Sequence, residues 1–249
     1  MPSTAVQSYL SRNLAALGER NAVVVELIAS VAADHGVTFA GTSQGVPSAM
    51  LDGKQLCSRH RPLEEAQRQV DSIDLVEHAA VVVLGFGLGY HVQRLAERAN
   101  KATLIIVFEP DPGLLRAALE NIDHSGWMKD ALLLFVTDAS DRGALARKLE
   151  GTESIRAQGV HFFEHPASRA RLGDRASQFT TLFTEFISAA KTTLMTTLMR
   201  SIDTTRNLML NIDHYVGGSG IADLHNVAAG RPAVVVSAGP SLHRNVHQL

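Results

Sequence analysis

Two glycine-rich turns contain the residue types and spacings with which this chain could bind a phosphate or a nucleoside. In the first turn, Gly85, Gly87 and Gly89 directly follow the apolar run at residues 81–84. Glycines let backbone N–H groups approach a ligand closely at the start of a helix. Glu109 lies about 20 residues beyond the last glycine, where an acid commonly hydrogen-bonds a ribose hydroxyl pair. These four residues therefore form a candidate nucleoside site.

The spacing of the first turn leaves its ligand open. Its third glycine comes one residue too early for the dinucleotide fingerprint G-x-G-x-x-G. The G-x-G-x-G pattern is nearer that of sheets that bind nucleosides or S-adenosylmethionine, so an S-adenosylmethionine-dependent methyltransferase is one alternative. No Asn-Pro-Pro-Tyr-like acceptor motif supports it. The other alternative is an architectural turn, in which Glu109, Pro110 and Asp111 serve only as a loop and a helix cap.

The second turn lies within AVVVSAGPSLHRN, at residues 233–245. Gly239 lets the backbone approach a ligand, and Pro240 fits the first position of a helix, where its missing N–H removes no hydrogen bond. Ser241 adds a hydroxyl beside the free amides of that helix start. The combination predicts a phosphate cradle, and the plainer alternative is a helix cap after a parallel strand.

An alternation of strands and helices positions the first turn. Apolar runs of the kind buried in parallel sheets occupy residues 81–84, 104–108 and 131–136, and GVHFF forms a further short run. Helical spacings fill the segments between these runs. The pattern over residues 75–165 predicts an α/β fold that is Rossmann-like, with a mostly parallel sheet, flanking helices and right-handed crossovers.

The segments before this sheet have simpler patterns. Residues 4–35 predict one or two amphipathic helices broken near Gly18. Residues 36–60 predict a small β-hairpin element that turns at Asp52-Gly53. A helix is predicted to begin at Pro62, because proline is well suited to the first helical position.

After the sheet, residues 168–211 predict one long helix or two stacked helices. The apolar stripe of this stretch, which includes Met195, Met199 and Met209, is predicted to be core or a helix–helix interface. The predicted domain organisation therefore has four parts. They are N-terminal helices with a hairpin element at 1–60, the Rossmann-like domain at 61–166, a long helical linker at 167–229, and the start of a second α/β domain at 230–249.

Composition excludes several classes of protein. With 23 basic and 25 acidic residues the net charge is −2, so we expect no nucleic-acid partner. The single cysteine, Cys57, excludes an internal disulfide framework and fits a reducing compartment. No secretory signal and no apolar run long enough for a membrane span is evident, and no metal site is predicted. We therefore expect a cytoplasmic location.

Several motifs taken together resemble one family. They are CSRHRPLEEA, GFGLGYH followed by IVFEPDP and LLRAALE, and GRPAVVVSAGPSL after the helical stretch. The combination, which covers roughly residues 56–249, resembles the motility accessory factor family of bacterial flagellin glycosyltransferases. The resemblance implies an N-terminal Rossmann-like domain followed by a central domain similar to sialyltransferases. In that family the central domain transfers pseudaminic or legionaminic acid from its CMP-activated form to Ser or Thr of flagellin.

The resemblance also implies a role for the second turn. In related sialyltransferases a G-P-S turn holds the nucleotide, which carries over to Gly239, Pro240 and Ser241, with Leu242 packed behind them. The donor would be a CMP-nonulosonic acid and the protein partner flagellin, with no further cofactor certain. A G-P-S-L turn is also found in the archaeal 6-hydroxymethylpterin pyrophosphokinase, so a related phosphate-transferring enzyme is an alternative.

Two further expectations concern activity. The sequence ends at Leu249, about ten residues into the nucleotide-binding unit, and a lone strand cannot form a sheet. We therefore expect these 249 residues to lack transferase activity on their own. A binding module is the alternative from another class of protein, in which residues 1–165 recognise flagellin or a chaperone and the glycine turn holds no ligand.

Overall fold

The computed structural model describes residues 4–75, 77–138, 140, 142–149, 159–218 and 220–232. The chain divides into two compact units, Met1–Met195 and Thr196–Leu249. The first contains the glycine turn and is the setting of the candidate site.

The first unit begins with two helices, α1 (Thr4–Ala16) and α2 (Ala22–Ser30), joined by a short 3-10 turn at Glu19–Asn21. The break between them falls where the sequence predicts it. Gly18 has a φ of 67°, a left-handed conformation that residues with a side chain rarely adopt. Of the one or two helices predicted, the structure has two, and the predicted break near Gly18 is confirmed.

The hairpin element forms a small antiparallel sheet of β1 (Val37–Gly41), β2 (Pro47–Leu51) and β3 (Lys54–Gln55), in the order β1-β2-β3. Asp52 and Gly53 connect the last two strands with φ values of 49° and 77°. Two consecutive left-handed residues define the type I′ turn that Asp-Gly favours in hairpins. The predicted turn is therefore confirmed.

The main sheet has four parallel strands in the order β6-β5-β4-β7. Its strands are β4 (Ala80–Leu84), β5 (Leu104–Phe108), β6 (Leu133–Val136) and β7 (Val160–Glu164). The helices associated with them are α3 (Pro62–Asp71), α4 (Tyr90–Arg98), α5 (Pro112–Asn121), α6 (Ser125–Met128) and α7 (Arg142–Lys148). The predicted Rossmann-like α/β fold is confirmed, and α3 begins at Pro62 as expected.

Both faces of the main sheet are buried, which is why β4 and β5 are apolar without alternation. Val81 and Val83 of β4 belong to a core shared with Ile28 of α2 and Leu115 of α5. The opposite face of the sheet belongs to a second core. Its members from the strands are Val82, Ile106 and Phe108, and the later helices add Leu172, Phe179 and Phe183.

Two buried asparagines connect the N-terminal helices to the rest of the first unit. The Asn13 amide donates to the carbonyls of Leu119 and Ile122 at 2.8 and 2.7 Å, and its oxygen accepts from the His124 N–H at 2.7 Å. Asn21 joins β6 in the same way, donating to the Leu133 carbonyl. Its oxygen accepts from the Phe135 N–H at 2.8 Å. Each asparagine therefore satisfies backbone groups that would otherwise be buried without partners.

The helices after β7 are α8 (Pro166–Leu172) and the 37-residue α9 (Asp174–Leu210). Gly173, with a φ of 49°, separates them, so the predicted helical stretch is two helices of unequal length. Phe179 of α9 stacks on Phe108 of β5 with ring centroids 4.3 Å apart. This stack fixes the first turns of α9 on the main sheet.

Hydroxyl groups explain how α9 accommodates its many threonines. Thr180, Thr192 and Thr193 each donate to the carbonyl four residues earlier, at 2.8 to 3.1 Å. Threonine in helices commonly makes this bond. Each of these hydroxyls therefore has its hydrogen-bond partner within the helix itself.

The second unit contains the end of α9, then α10 (Ile212–Gly217) and a 3-10 turn at Ile221–Leu224. Met195, Met199 and Met209 are 50%, 78% and 64% exposed, so the prediction that they are core is wrong for the described chain. The helix–helix interface stays a prediction. The strand predicted after Pro232 lies outside the described residues, and none of the described helices is long and apolar enough to cross a membrane.

Candidate functional site

The strand order creates a crevice at the carboxyl end of the main sheet. From β4 the chain proceeds through β5 to β6 on one side, and β7 then pairs with the other side of β4. Open parallel sheets bind ligands where the strand order reverses in this way. Here the crevice lies between the ends of β4 and β7, where Gly85 and His165 follow the two strands.

The glycine turn adopts the backbone conformation that its sequence predicts. Gly85, Gly87 and Gly89 have φ values of 100°, 51° and 80°, and all three are buried. Two of the three glycine amides in this turn already donate hydrogen bonds. The Gly85 N–H donates to the Phe108 carbonyl at 2.9 Å, and the Gly89 N–H donates to the Phe86 carbonyl at 2.8 Å. An incoming phosphate would have to compete with these bonds.

Side chains of the protein itself occupy the space that the missing glycine side chains leave. A Cβ atom on Gly85 would overlap the Cβ and Oγ atoms of Ser168 in α8. A Cβ on Gly87 would lie 2.8 Å from Cε1 of His165, and one on Gly89 would lie 2.5 Å from Cζ of Phe86. The glycines therefore allow α8 and the residue before it to pack directly on the turn.

Glu109 is fully buried at the end of β5, and its carboxylate has four hydrogen-bond donors. Arg171 of α8 binds it with both terminal nitrogens, Nη1 to Oε1 at 2.7 Å and Nη2 to Oε2 at 2.5 Å. The Phe86 N–H donates to Oε2 at 3.0 Å, and the Asp111 N–H to Oε1 at 3.2 Å. Such paired, planar contacts are among the stronger charge-assisted hydrogen bonds. The guanidinium thus occupies the position at which a ribose hydroxyl pair would meet this acid.

Two histidines complete the filling of the crevice. The rings of His91 and His165 stack with centroids 4.0 Å apart and planes 10° from parallel. His91 Nε2 lies 3.0 Å from the Gly85 carbonyl, which can only accept, so Nε2 carries the proton. His165 Nδ1 is 2.8 Å from Oγ of Ser168. Burial lowers the pKa of His91 to about 4 and holds the pKa of His165 well below its ordinary value, so both rings are neutral at pH 7.

A third buried histidine supports the turn from the other side. His124 packs edge-on against Phe86 and accepts a hydrogen bond at Nδ1 from the Trp127 indole at 3.1 Å. Burial lowers the pKa of His124 to about 4, and the Leu88 backbone partly opposes that shift. Among the described residues, no three His, Cys, Asp or Glu side chains are arranged to hold a metal ion.

The crevice leaves little open volume beside Arg171. A pocket of about 150 Å³ lies there between the hairpin and α8, lined in part by Leu51, Lys54, Leu56 and Ala170. Ligand sites commonly enclose roughly 300–1,000 Å³. This pocket is therefore smaller than a nucleoside site.

The structure brings together all four residues of the first candidate site. The side chains that contact them, His91, His165, Ser168 and Arg171, were not predicted from the sequence. A buried acid after an apolar strand does require a cationic or amide partner, but its sequence does not indicate which residue supplies it. Gly239, Pro240, Ser241 and Leu242 of the second candidate site lie outside the described residues.

The fold and the crevice define a Rossmann-like α/β domain whose ligand crevice contains its own side chains. Residues 49–132 match the family model described as "Glycosyltransferase Maf N-terminal domain". These residues therefore resemble the N-terminal domain of the Maf glycosyltransferases, and the resemblance to motility accessory factors is confirmed.

A solved structure is also similar, that of MAf glycosyltransferase from Magnetospirillum magneticum AMB-1. It is 16% identical, with a TM-score of 0.47 over 74% of this chain. The match covers 35% of the solved chain, so this sequence spans about a third of that protein's length. No curated protein sequence matches the chain.

Proposed function

We propose that this chain is the N-terminal part of a cytoplasmic glycosyltransferase that transfers a CMP-activated, sialic-acid-like sugar to Ser or Thr of flagellin. The match of residues 49–132 to the Maf N-terminal domain carries the proposal. The sugar would be pseudaminic or legionaminic acid. The sequence Gly239-Pro240-Ser241-Leu242 supports this donor, because in the related sialyltransferases a G-P-S turn holds the nucleotide.

In this proposal the Rossmann-like domain acts without a nucleoside of its own. Glu109 is bound by Arg171 and by the amide of Phe86, and the glycine positions are packed against His165 and Ser168. A nucleoside would have to break this ion pair and move α8 before it reached the acid. These contacts disfavour a nucleoside at the first turn, so binding of flagellin or a chaperone remains the second candidate function of the domain.

The same contacts give less support to the remaining alternatives. An S-adenosylmethionine-dependent methyltransferase would need Glu109 free to accept the ribose hydroxyls, and here Arg171 binds it at 2.5 and 2.7 Å. A 6-hydroxymethylpterin pyrophosphokinase-like reaction shares the G-P-S-L turn, and it would use phosphate rather than sugar chemistry there. Such a reaction would not use flagellin as its acceptor.

The transfer assay uses the whole reading frame in which these residues occur, because the chain spans only about a third of the similar solved protein. Unmodified flagellin is incubated with CMP-pseudaminic or CMP-legionaminic acid, and the intact mass of flagellin is measured. We expect a mass gain of one or more sugar residues, and a large loss of transfer in Ser241→Ala. Ser72→Ala, at an exposed residue after α3, is the matched control and should leave transfer unchanged. Unmodified flagellin with both donors would refute the proposed reaction.

A binding experiment separates the two glycine turns. S-adenosylmethionine and CMP are titrated against the wild type and against Glu109→Gln in a calorimeter. We expect no heat from S-adenosylmethionine with either protein, and no effect of Glu109→Gln on CMP binding. S-adenosylmethionine binding that Glu109→Gln abolishes would instead establish a nucleoside site at the first turn.

A further inference from the structure

The strand β1 is an edge strand with one side unpaired. Within the described residues it pairs with β2 alone, in a register that places Phe39 opposite Ala49. The Asp52 N–H donates to the Gly36 carbonyl, whereas the Ala49 carbonyl accepts from Leu56, on the side of β3. Hydrogen bonding alternates along an antiparallel pair. The backbone groups of residues 38 and 40 therefore point to β2, and those of residues 37, 39 and 41 point away from the sheet.

This outer side offers a short, regular set of backbone groups. Phe39 presents both its N–H and its carbonyl, Gly41 presents its N–H, and Val37 presents its carbonyl. The Val37 N–H is already used, because it donates to the Asp34 carbonyl at 3.2 Å. Gly41, whose N–H points to this side, is exposed, and Val37 and Phe39 are half-buried.

The strand lacks the devices that usually protect an edge. Its sequence, VTFAG, contains no charged residue and no proline. Exposed edges in monomeric proteins are commonly blocked by lysine, proline or a bulge, because an open edge can pair with another strand. An unprotected edge is therefore suited to strand addition.

We propose that β1 pairs antiparallel with β1 of a second copy of this chain, with the two-fold axis at Phe39. In this register Phe39 lies opposite Phe39 of the second copy, and residue 37 lies opposite residue 41. The two central residues exchange two hydrogen bonds, and each Gly41 N–H donates to a Val37 carbonyl. The pairing makes four hydrogen bonds and joins two three-stranded sheets into one of six strands.

The composition of β1 favours a second copy over a strand of another protein. Symmetric pairing requires that the central residue point its backbone outward, and Phe39 meets this condition. Because the strand has no charge, no like charges face each other in the dimer. The half-buried Phe39 side chains lie on the core side of each sheet and become cross-strand neighbours.

The dimer should be weak and concentration-dependent. Five-residue strands bury much less than the roughly 1,600 Å² of a standard stable interface. Backbone hydrogen bonds contribute most of the binding free energy of the dimer, and the side chains of β1 add little. Sedimentation over a range of concentrations is therefore the appropriate measurement.

Gly41 gives a sharp test, because its backbone N–H points outward and a Cβ added there meets no atom within 4 Å. Gly41→Pro removes that N–H and places a ring in the path of an added strand, but leaves the β1–β2 hydrogen bonds in place. Gly41→Ala keeps the N–H and is the matched control. We expect wild type and Gly41→Ala to shift from monomer to dimer with concentration, and Gly41→Pro to remain monomeric. A wild type that is monomeric throughout, or a Gly41→Pro variant that dimerises normally, overturns the proposal.

A cross-linking experiment tests the register independently. In the proposed pairing Thr38 lies opposite Ala40 of the second copy in a non-hydrogen-bonded pair, with Cα atoms about 4.5 Å apart. A mixture of Thr38→Cys and Ala40→Cys chains should form a disulfide under mild oxidation. Either variant alone should not, because equivalent residues lie on a diagonal at about 7–8 Å. Efficient cross-linking of each variant alone would contradict this register.

One further outcome would identify a different occupant. A monomeric wild type that binds unmodified flagellin, with the binding lost in Gly41→Pro but kept in Gly41→Ala, would show strand addition by the acceptor protein. That result overturns pairing with a second copy.

Discussion

Replacing Arg171 with methionine tests the ion pair that fills the crevice. Methionine retains much of the aliphatic length of the side chain, so that the main change is the loss of the guanidinium. The Glu109 carboxylate is 0% exposed and would keep only the amides of Phe86 and Asp111 as donors. Removing one partner of a buried ion pair costs about 3–5 kcal/mol. Because two hydrogen bonds to Glu109 remain, we expect a loss near the lower limit, about 3 kcal/mol.

The expected loss is large enough to measure by thermal or urea unfolding. For a unit of this size each kcal/mol lowers the melting temperature by about 2–4 °C, so Arg171→Met should melt about 6–12 °C below the wild type. Trp127 is the single tryptophan, and it is half-buried in the same unit beside His124. Its fluorescence therefore reports on unfolding of this unit.

An exposed ion pair in the same part of the chain provides the control. Arg169 binds Glu164 at 2.6 Å, but their side chains are 69% and 31% exposed. Exposed pairs contribute about 0–1 kcal/mol, so Arg169→Met should change stability by no more than that. A double-mutant cycle with Glu109→Gln then measures the coupling to Arg171. A coupling energy below about 0.5 kcal/mol, or equal losses in Arg169→Met and Arg171→Met, would refute the assignment of a stabilising ion pair at the crevice.

Three further predictions concern packing, pH and buried polar contacts. Gly85→Ala should destabilise the protein by about 2–4 kcal/mol, because the added Cβ overlaps Ser168 and the backbone is left-handed there, and Ser168→Gly should restore part of the loss in urea unfolding. Acidification from pH 7 to 5 should destabilise the wild type, because the pKa of His91 is about 4 when folded and about 6.5 when unfolded. Below pH 6.5 the imidazole of the unfolded chain gains a proton while the buried ring stays neutral, so stability falls with falling pH. His91→Gln should reduce this loss by about 2 kcal/mol. Asn13→Asp should lower the free energy of unfolding by about 2–4 kcal/mol, whereas Asn207→Asp on the exposed part of α9 should change it by less than about 0.5 kcal/mol.

Each of these predictions can fail in a distinct way. A Gly85→Ala variant that Ser168→Gly does not improve would show that backbone strain alone, and not contact with α8, sets the cost. Stability that stays constant between pH 7 and 5 would contradict neutral, buried imidazoles. Equal effects of Asn13→Asp and Asn207→Asp would mean that the buried amide contributes little to the attachment of α1.

Local signals in the sequence predicted much of the fold. Backbone preferences of single residues predict the turn at Asp52-Gly53 and the start of a helix at Pro62. Tertiary contacts did not shift either feature. The glycine turn and Glu109 were also correctly located at the end of adjacent parallel strands. Asp111 caps α5 as expected, accepting a hydrogen bond from the Leu114 N–H at 3.0 Å. These features depend on residues that are close together in the sequence.

The contents of the crevice could not be predicted in the same way. Arg171 lies 62 residues beyond Glu109, and several other arginines precede or follow it at similar helical positions. The pairing of β7 beside β4 determines which arginine reaches Glu109, and no local sequence pattern specifies that pairing. The exposure of Met199 could not be predicted for a related reason. An apolar stripe on a helix indicates that something packs against it, but not whether that partner lies within the described chain.

The asparagine contacts have a consequence for the order in which the protein folds during synthesis. Asn13 and Asn21 bond to backbone groups 106 to 114 residues later in the sequence, at the end of α5 and on β6. The ribosome makes the N-terminal helices first, yet the groups that hold them in place appear only after more than half of the first unit has been translated. Contacts at such long range are slow to form, because the chain between them must first be ordered. Until then α2 would expose the apolar residues Val24 and Ile28, so translation rate and chaperone access at this stage would govern the yield of folded protein.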